Sequence, residues 1–460
     1  MDLSERDRAV FWHPCGHLPD YADLPALPVV AAAGCRIRLA DGRELIDAIA
    51  SWWCKSLGHG HPLIRAAIRH QTEVFEHVIT AQLTHAPVVR LCERLLSAAN
   101  GHPVAAWGRL GAPGRLPGHF GKVFLADNGS TGVEVALKLA LQGQLQSGRS
   151  QRTGFATLAE AYHGETAGAL SMSDLGQYKQ HYSPLLSDAL RLGPLPWRSG
   201  PADPRWQDCA AEWPAIERQL DAQAGSLAAV VVEPVLLAAA GMRLTSPDLL
   251  RRLRGWCSAH GVWLIADEIA SGMGRLGTMM ACELAGIQPD LAVFSKGLTG
   301  GSLPLAAVVV PDALVALFDA PWSEGKSFLH SNTHCGNALA CAAANAVFDA
   351  YSIEDVLGQV ARRGPALHTG LVELARTRHY LHGVRGAGMM AAVDLRRADG
   401  SALPRLDRTG WLVMREALSR GGLFRPLGDT MYLCPPLNAT DADIEQMLAI
   451  LADSLDAVFG

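Results

Sequence analysis

Three short apolar runs constrain this chain more than any other feature: AAVVVEPV (228–235), VWLIADE (262–268) and LAVFSK (291–296). A strand with one wet face alternates apolar and polar residues. A run that is apolar throughout needs cover on both faces. Helical segments separate the runs, and strands alternating with helices build a parallel sheet between helical layers. KVFLADNGSTGVEVALKLALQ adds a strand, a tight turn and a helix. The expected fold class is therefore α/β, a large domain on a mostly parallel central sheet.

At 460 residues the chain exceeds what a single core usually organises. CRIRLADGRELIDAIASWW predicts a hairpin about Asp41–Gly42, and PLIRAAIRHQTEVFEHV predicts a helix. Beyond about Ala344 come a helix, strands in LHGVRGAGMMAAVDL and GLFRPLGDTMYLCPP, and a closing helix. We expect residues 1–75 to contribute to a smaller α+β domain, 76–344 to form the large domain, and 345–460 to complete the small one. Gly101–Gly121 and Leu192–Asp208, rich in Gly and Pro, are expected as surface loops.

A net charge of −5 provides no basic field for nucleic acid or an anionic membrane. The longest apolar runs are short or broken by charge and proline, so no membrane span is expected. MDLSERDRAVFWHP lacks a signal-peptide core. The 10 cysteines form no CxxC pair, which points to reduced thiols and a cytoplasmic location. His59, His61, His330 and His334 stand near glycine turns without acids at ligand spacing, so no metal centre is expected.

Gly272-x-Gly274-x-x-Gly277 follows a strand and matches a dinucleotide fingerprint, with Asp290 at the distance of a ribose-binding acid. Chemistry argues against it. Asp267 and Glu268 put negative charge where a pyrophosphate needs backbone donors. Asp290 also precedes its strand, whereas a ribose acid should end one. A better reading joins Asp267 to Lys296. A lone strand-end lysine is usually a surface group. Here an acid ends one buried strand and a lysine ends a following one, with glycines after each. Pyridoxal phosphate needs such a pair: a lysine for the Schiff base and an acid to keep the pyridine nitrogen protonated.

The cofactor's phosphate would suit the turn at Gly129 and Ser130, where a helix expected to begin near Thr131 offers free N–H groups. An ordinary N-cap accounts equally well for that turn taken alone. Glu134 and Lys138 are expected to pair on the helix surface. Tyr162, before a His-Gly turn, stands where an aromatic could stack on a flat ring, although taken alone a place in the core accounts better for it. The adjacent Trp52 and Trp53 point in different directions on any regular element, so one core can hardly claim both.

LIADEIASGMGRLG and FSKGLTGG resemble the signature of the class III pyridoxal-phosphate aminotransferases of fold type I. The similarity extends through DNGS, YHGET, VVEP and HCGNALACAAA to the C-terminal strands. It implies a homodimer with active sites at the subunit interface and a large domain that binds pyridoxal 5'-phosphate. Lys296 would be the Schiff-base lysine and proton shuttle, Asp267 the partner of the pyridine nitrogen, and Tyr162 the stacking ring. Gly129 and Ser130 would hold the phosphate, joined by Thr333 of the second subunit.

Ala270 in DEIASG, where many members carry Gln, is similar to the adenosylmethionine-8-amino-7-oxononanoate aminotransferases of biotin synthesis. That likeness implies 8-amino-7-oxononanoate as amino acceptor and S-adenosylmethionine as donor in a ping-pong reaction. It implies a substrate site of Trp52, Trp53, Tyr162, Ser331, Arg425 and Tyr432. Three features depart from the pattern: Cys15 where a tyrosine is common, Ser331 where glycine is frequent, and a long Gly101–Gly121 loop. The alternatives are another class III ω-aminotransferase, acting on a diamine, 4-aminobutyrate or a β-amino acid, and a non-catalytic regulator of the same fold. The regulator would need a basic DNA-binding domain, which the sequence does not show.

Overall fold

The computed structural model describes residues 2–107 and 119–460, so the central part of the Gly101–Gly121 loop lies outside the described residues. Seven strands form the main sheet: β1 Phe120–Ala126, β2 Gly154–Leu158, β3 Leu190–Leu192, β4 Leu227–Val232, β5 Trp263–Asp267, β6 Leu291–Phe294 and β7 Ala306–Pro311. Their order is β1-β7-β6-β5-β4-β2-β3. β7 runs antiparallel to both its neighbours, and every other adjacent pair is parallel. The three apolar runs are β4, β5 and β6, side by side in the middle.

Helices cover both faces, as unbroken apolar strands require. α1 (Gly129–Gln146) packs Val133 and Ala136 against Val231, Ile265 and Val293. α2 (Pro247–His260) packs Leu249 and Leu253 against Val230 and Leu264. α1 lies close to β6: a Cβ added to Gly132 would come within 2.8 Å of Val293 Cγ1. α1 begins at Gly129 rather than near Thr131, because Asn128 accepts the Thr131 N–H and caps it. Glu134 and Lys138 do not pair. Glu134 instead accepts the N–H groups of Gly168 and Ala169 and the Thr166 hydroxyl, while Lys138 meets His330.

The chain ends meet in a smaller unit. Arg36–Leu39 and Glu44–Asp47 form the hairpin around Asp41–Gly42, and Gly422–Leu423 adds parallel to Glu44–Asp47. Leu381–Gly386, Ala391–Leu395 and Thr430–Leu433 form an antiparallel sheet, and the helix Asp441–Phe459 closes the chain. Cys434 N–H donates to Ala48 O at 2.8 Å, and Leu437 N–H to Ser56 O at 2.8 Å. These bonds tie the Trp52–Trp53 segment to the C-terminal strands. The helix after His61 ends at Thr72, earlier than its apolar spacing suggests. No helix among the described residues is long and apolar enough to cross a membrane.

Candidate active site

Parallel alignment brings three charged residues to neighbouring strand ends. Asp267 closes β5, Glu233 follows β4 by one residue, and Lys296 follows β6 by two. They line a cavity of about 210 Å³ together with Trp53, Asn128, Gly129, Ser130, Tyr162, His163 and Ala270. Burying an ammonium costs several kcal/mol even after relaxation. Each buried Val or Leu of the core returns only about 1.5–3 kcal/mol. Such a group persists where nearby charge or chemistry compensates.

Burial pushes the Lys296 ammonium below its ordinary pKa, while Asp267 and Glu233 pull it back. Burial thus favours the neutral amine, the form that attacks a carbonyl. Asp267 Oδ2 lies 2.8 Å from His163 Nδ1, and Oδ1 accepts the Ile269 N–H at 3.1 Å. His163 is itself fixed: Nε2 meets Thr157 Oγ1 at 3.2 Å, and its N–H donates to Ser173 Oγ at 2.9 Å.

Glu233 accepts the N–H groups of Tyr162 at 2.8 Å and Ala238 at 3.1 Å. Burial pushes its carboxyl up to about 7, with Asp267 adding to the rise and His163 opposing it. Glu268, facing away, accepts Ala281 N–H, Cys282 N–H and the Ser271 hydroxyl, and burial pushes it also up to about 7.

The N-terminus of α1 opens into the same cavity. Asn128 satisfies Thr131, leaving the N–H groups of Gly129 and Ser130 without an acceptor among the described residues. Together with the helix dipole they make an anion cradle. The cradle is shaped by close approach, since a Cβ on Gly129 would lie 2.9 Å from Ile269 Cδ1. Gly164, at φ +124°, passes so near Ser130 Oγ that any side chain would collide. Lysine, acid partner and anion cradle therefore fit pyridoxal phosphate.

The two tryptophans divide as adjacent residues must. Trp53 is 8% exposed and Trp52 43%. The Trp53 ring lies 5.0 Å from Lys296 Nζ, and its indole N–H donates to Tyr432 OH at 3.0 Å. Trp52 stacks on the Arg425 guanidinium at 4.9 Å, and Arg425 donates to Cys15 O at 2.9 Å. Arg425 and Cys15 line a larger cleft of about 620 Å³ beside the cavity. Tyr162 lines the cavity and donates to Glu165 at 2.9 Å. Ser331 and Thr333 are exposed and stand outside the cavity lining; Thr333 O meets His77 Nε2 at 3.0 Å.

Sequence reasoning gave no role to His163, Glu233 or Asn128. Glu233 carried a signal, since a lone acid interrupts an otherwise apolar run. The fingerprint glycines lead into irregular turns rather than a helix. Asp290 pairs with Arg254 at 2.7 Å and accepts the Leu264 N–H, which gives it a structural role.

A family model described as Aminotransferase class-III matches residues 19–455. The adenosylmethionine-8-amino-7-oxononanoate aminotransferase of Synechococcus elongatus is 37% identical, covering 97% of this chain and 98% of the relative. The crystal structure of the enzyme of that name from Methanocaldococcus jannaschii aligns with TM-score 0.89 at 27% identity, covering 99% of this chain and 98% of the other. An amine transaminase from an uncultivated Pseudomonas species, in its PLP-bound form, aligns with TM-score 0.85 at 29% identity, covering 97% and 98%.

Proposed function

From the premise that this chain belongs to the class III aminotransferases, we propose that it transfers an amino group to 8-amino-7-oxononanoate, giving 7,8-diaminononanoate in biotin synthesis. S-adenosylmethionine is the donor, and pyridoxal 5'-phosphate the cofactor. The observation that carries the chemistry is the buried Lys296 between Asp267 and Glu233, facing the anion cradle of α1. What supports the substrate is the name shared by relatives matching nearly the whole chain, together with the Trp53–Tyr432 and Trp52–Arg425 pairs.

When bound, pyridoxal phosphate supplies an electron sink and carries the amino group between donor and acceptor. Gly129 and Ser130 hold its phosphate by their N–H groups. Tyr162 would cover its ring, and Asp267, steadied by His163, would be the partner of its ring nitrogen. Lys296 Nζ takes and returns the proton at the substrate's α-carbon. Trp53 and Tyr432 form an apolar wall for the alkyl chain and exclude water. Arg425 presents a planar fork to the carboxylate that both substrates carry.

The chain works in this reading as a homodimer in the cytoplasm, with the exposed Thr333 reaching the phosphate of the second subunit and Ser331 beside it at the substrate site. The test is to incubate purified holoenzyme with 8-amino-7-oxononanoate and either S-adenosylmethionine or lysine, and to measure diaminononanoate by mass spectrometry. Product with S-adenosylmethionine is expected. Product with lysine alone reassigns the donor, and no product with either overturns the substrate.

A further inference from the structure

Four consecutive non-glycine residues, Ala50, Ser51, Trp52 and Trp53, have φ of +46°, +42°, +72° and +68°. One such residue is uncommon, because its Cβ crowds the following carbonyl. Four in a row form one turn of left-handed helix. The turn closes with Trp53 N–H donating to Ile49 O at 2.9 Å and Cys54 N–H to Ala50 O at 3.0 Å. A backbone held in a sparsely populated region persists only when its surroundings over-determine it.

Asp47 provides that constraint. It ends the strand Glu44–Asp47 and is wholly buried. Its Oδ1 accepts the N–H groups of Ile49 at 3.2 Å and Ser51 at 3.1 Å. Its Oδ2 accepts the Ser51 hydroxyl at 2.7 Å and meets His59 Nε2 at 2.8 Å. These partners keep its carboxyl below the ordinary carboxylate range against the opposing effect of burial. The carboxylate touches neither Lys296 nor the cavity lining. The turn it grips carries both Trp53, beside Lys296, and Trp52, against Arg425.

We propose that Asp47 is a positioning residue for acceptor specificity: it locks the Ala50–Trp53 turn and so sets the apolar wall and the carboxylate clamp relative to each other. The class of acceptor this favours is an alkyl chain ending in a carboxylate. This rests on the aminotransferase reading for its substrate, while the turn itself is read from the backbone alone.

The test is Asp47→Asn, which preserves shape but removes the charge and one pair of acceptor sites. The acceptor KM is expected to rise by about tenfold or more, with kcat falling less than about threefold. The near-UV circular dichroism of the tryptophans should change in the cofactor-free chain as well. Adding Ala50→Gly, which lowers the backbone cost of the left-handed turn, should recover part of the lost KM. If Asp47→Asn fails to fold, Ser51→Ala removes one bond to Asp47 and should move KM and dichroism in the same direction by less. Unchanged KM and dichroism in the folded variant overturn the proposal, as does a stability loss with both readouts intact. A wild-type chain inactive on the oxononanoate would overturn the functional reading instead. The dichroism, and KM for whichever keto substrate the enzyme accepts, would still decide this one.

Discussion

The strand ends of β4–β6 and the Ala50–Trp53 turn bring side chains to one cavity by opposite routes. At the strand ends the strands themselves are regular and the side chains are the unfavourable part: Glu233 and Asp267 are buried acids and Lys296 an amine whose charge burial opposes, all lining one cavity. In the turn the side chains, two of them aromatic, are ordinary and the backbone is the unfavourable part. Four left-handed residues cost about 1–2 kcal/mol each, on the order of 4–8 kcal/mol together. Hydrogen bonds to a charged group contribute about 1.5–3 kcal/mol each, so the three that Asp47 makes to Ile49 and Ser51 are of the size needed to offset that cost. In the proposed reaction the reacting groups stand at or just past the ends of regular strands, whereas the groups proposed to select the substrate depend on a left-handed turn held by one buried acid.

The largest effect that would break this contrast is at Lys296. Its ammonium donates no hydrogen bond within the described residues, so Lys296→Ala should fold normally and lose transamination by about 10³-fold or more. A folded variant that keeps its activity would remove the strand ends from the chemistry. Next comes the energetic signature of buried charge. Glu233 and Glu268 release their protons near 4.5 when unfolded but at about 7 when folded. Between those values the folded state binds more protons than the unfolded one, so stability falls as pH rises and levels off above about pH 7. Each group accounts for up to ~3 kcal/mol of that fall. Denaturant titrations from pH 5 to 8 should show the slope, and Glu233→Gln should reduce it by one proton.

A smaller effect is expected at His163, which makes the 2.8 Å bond to Asp267. Removing a charge-assisted bond costs about 1.5–3 kcal/mol, so His163→Ala should lower kcat/KM by about 10- to 100-fold while leaving acceptor selectivity unchanged. A shift in selectivity would show that the two regions are not separable.

The strand ends could be read from the chain because buried parallel strands write themselves as unbroken apolar runs, and a charge closing such a run stands out. Lys296 and Asp267 stand out this way; the Gly129–Ser130 turn is legible instead as a helix start directly after a strand. The left-handed turn had no such mark. Nothing in ASWW distinguishes it from a right-handed turn, because its cause is Asp47, three residues upstream, and its outer contacts are Tyr432 and Arg425 on a distant strand and loop. Glu134 shows the same limit: its i,i+4 lysine suggested a surface pair, whereas a helix start far away in sequence captured it. Local periodicity predicts elements, but it does not report which distant donor reaches a given acid first.

The smallest effect separates the two tryptophans. Trp52 is 43% exposed and acts only by covering Arg425 at 4.9 Å, a cation–π contact worth about 0.5–1 kcal/mol at such a site. Arg425 keeps its bond to Cys15 O when the ring is removed. Trp52→Ala should therefore raise KM about two- to fivefold for a substrate with a carboxylate and leave KM for an uncharged amine acceptor unchanged. Asp47→Asn, by contrast, should raise both, because it also displaces Trp53 from the wall beside Lys296. Equal effects of Trp52→Ala on the two substrates would mean that the turn works as a single apolar surface. A selective effect means that one strained turn holds two separable functions, a clamp on its outer ring and a wall on its inner one.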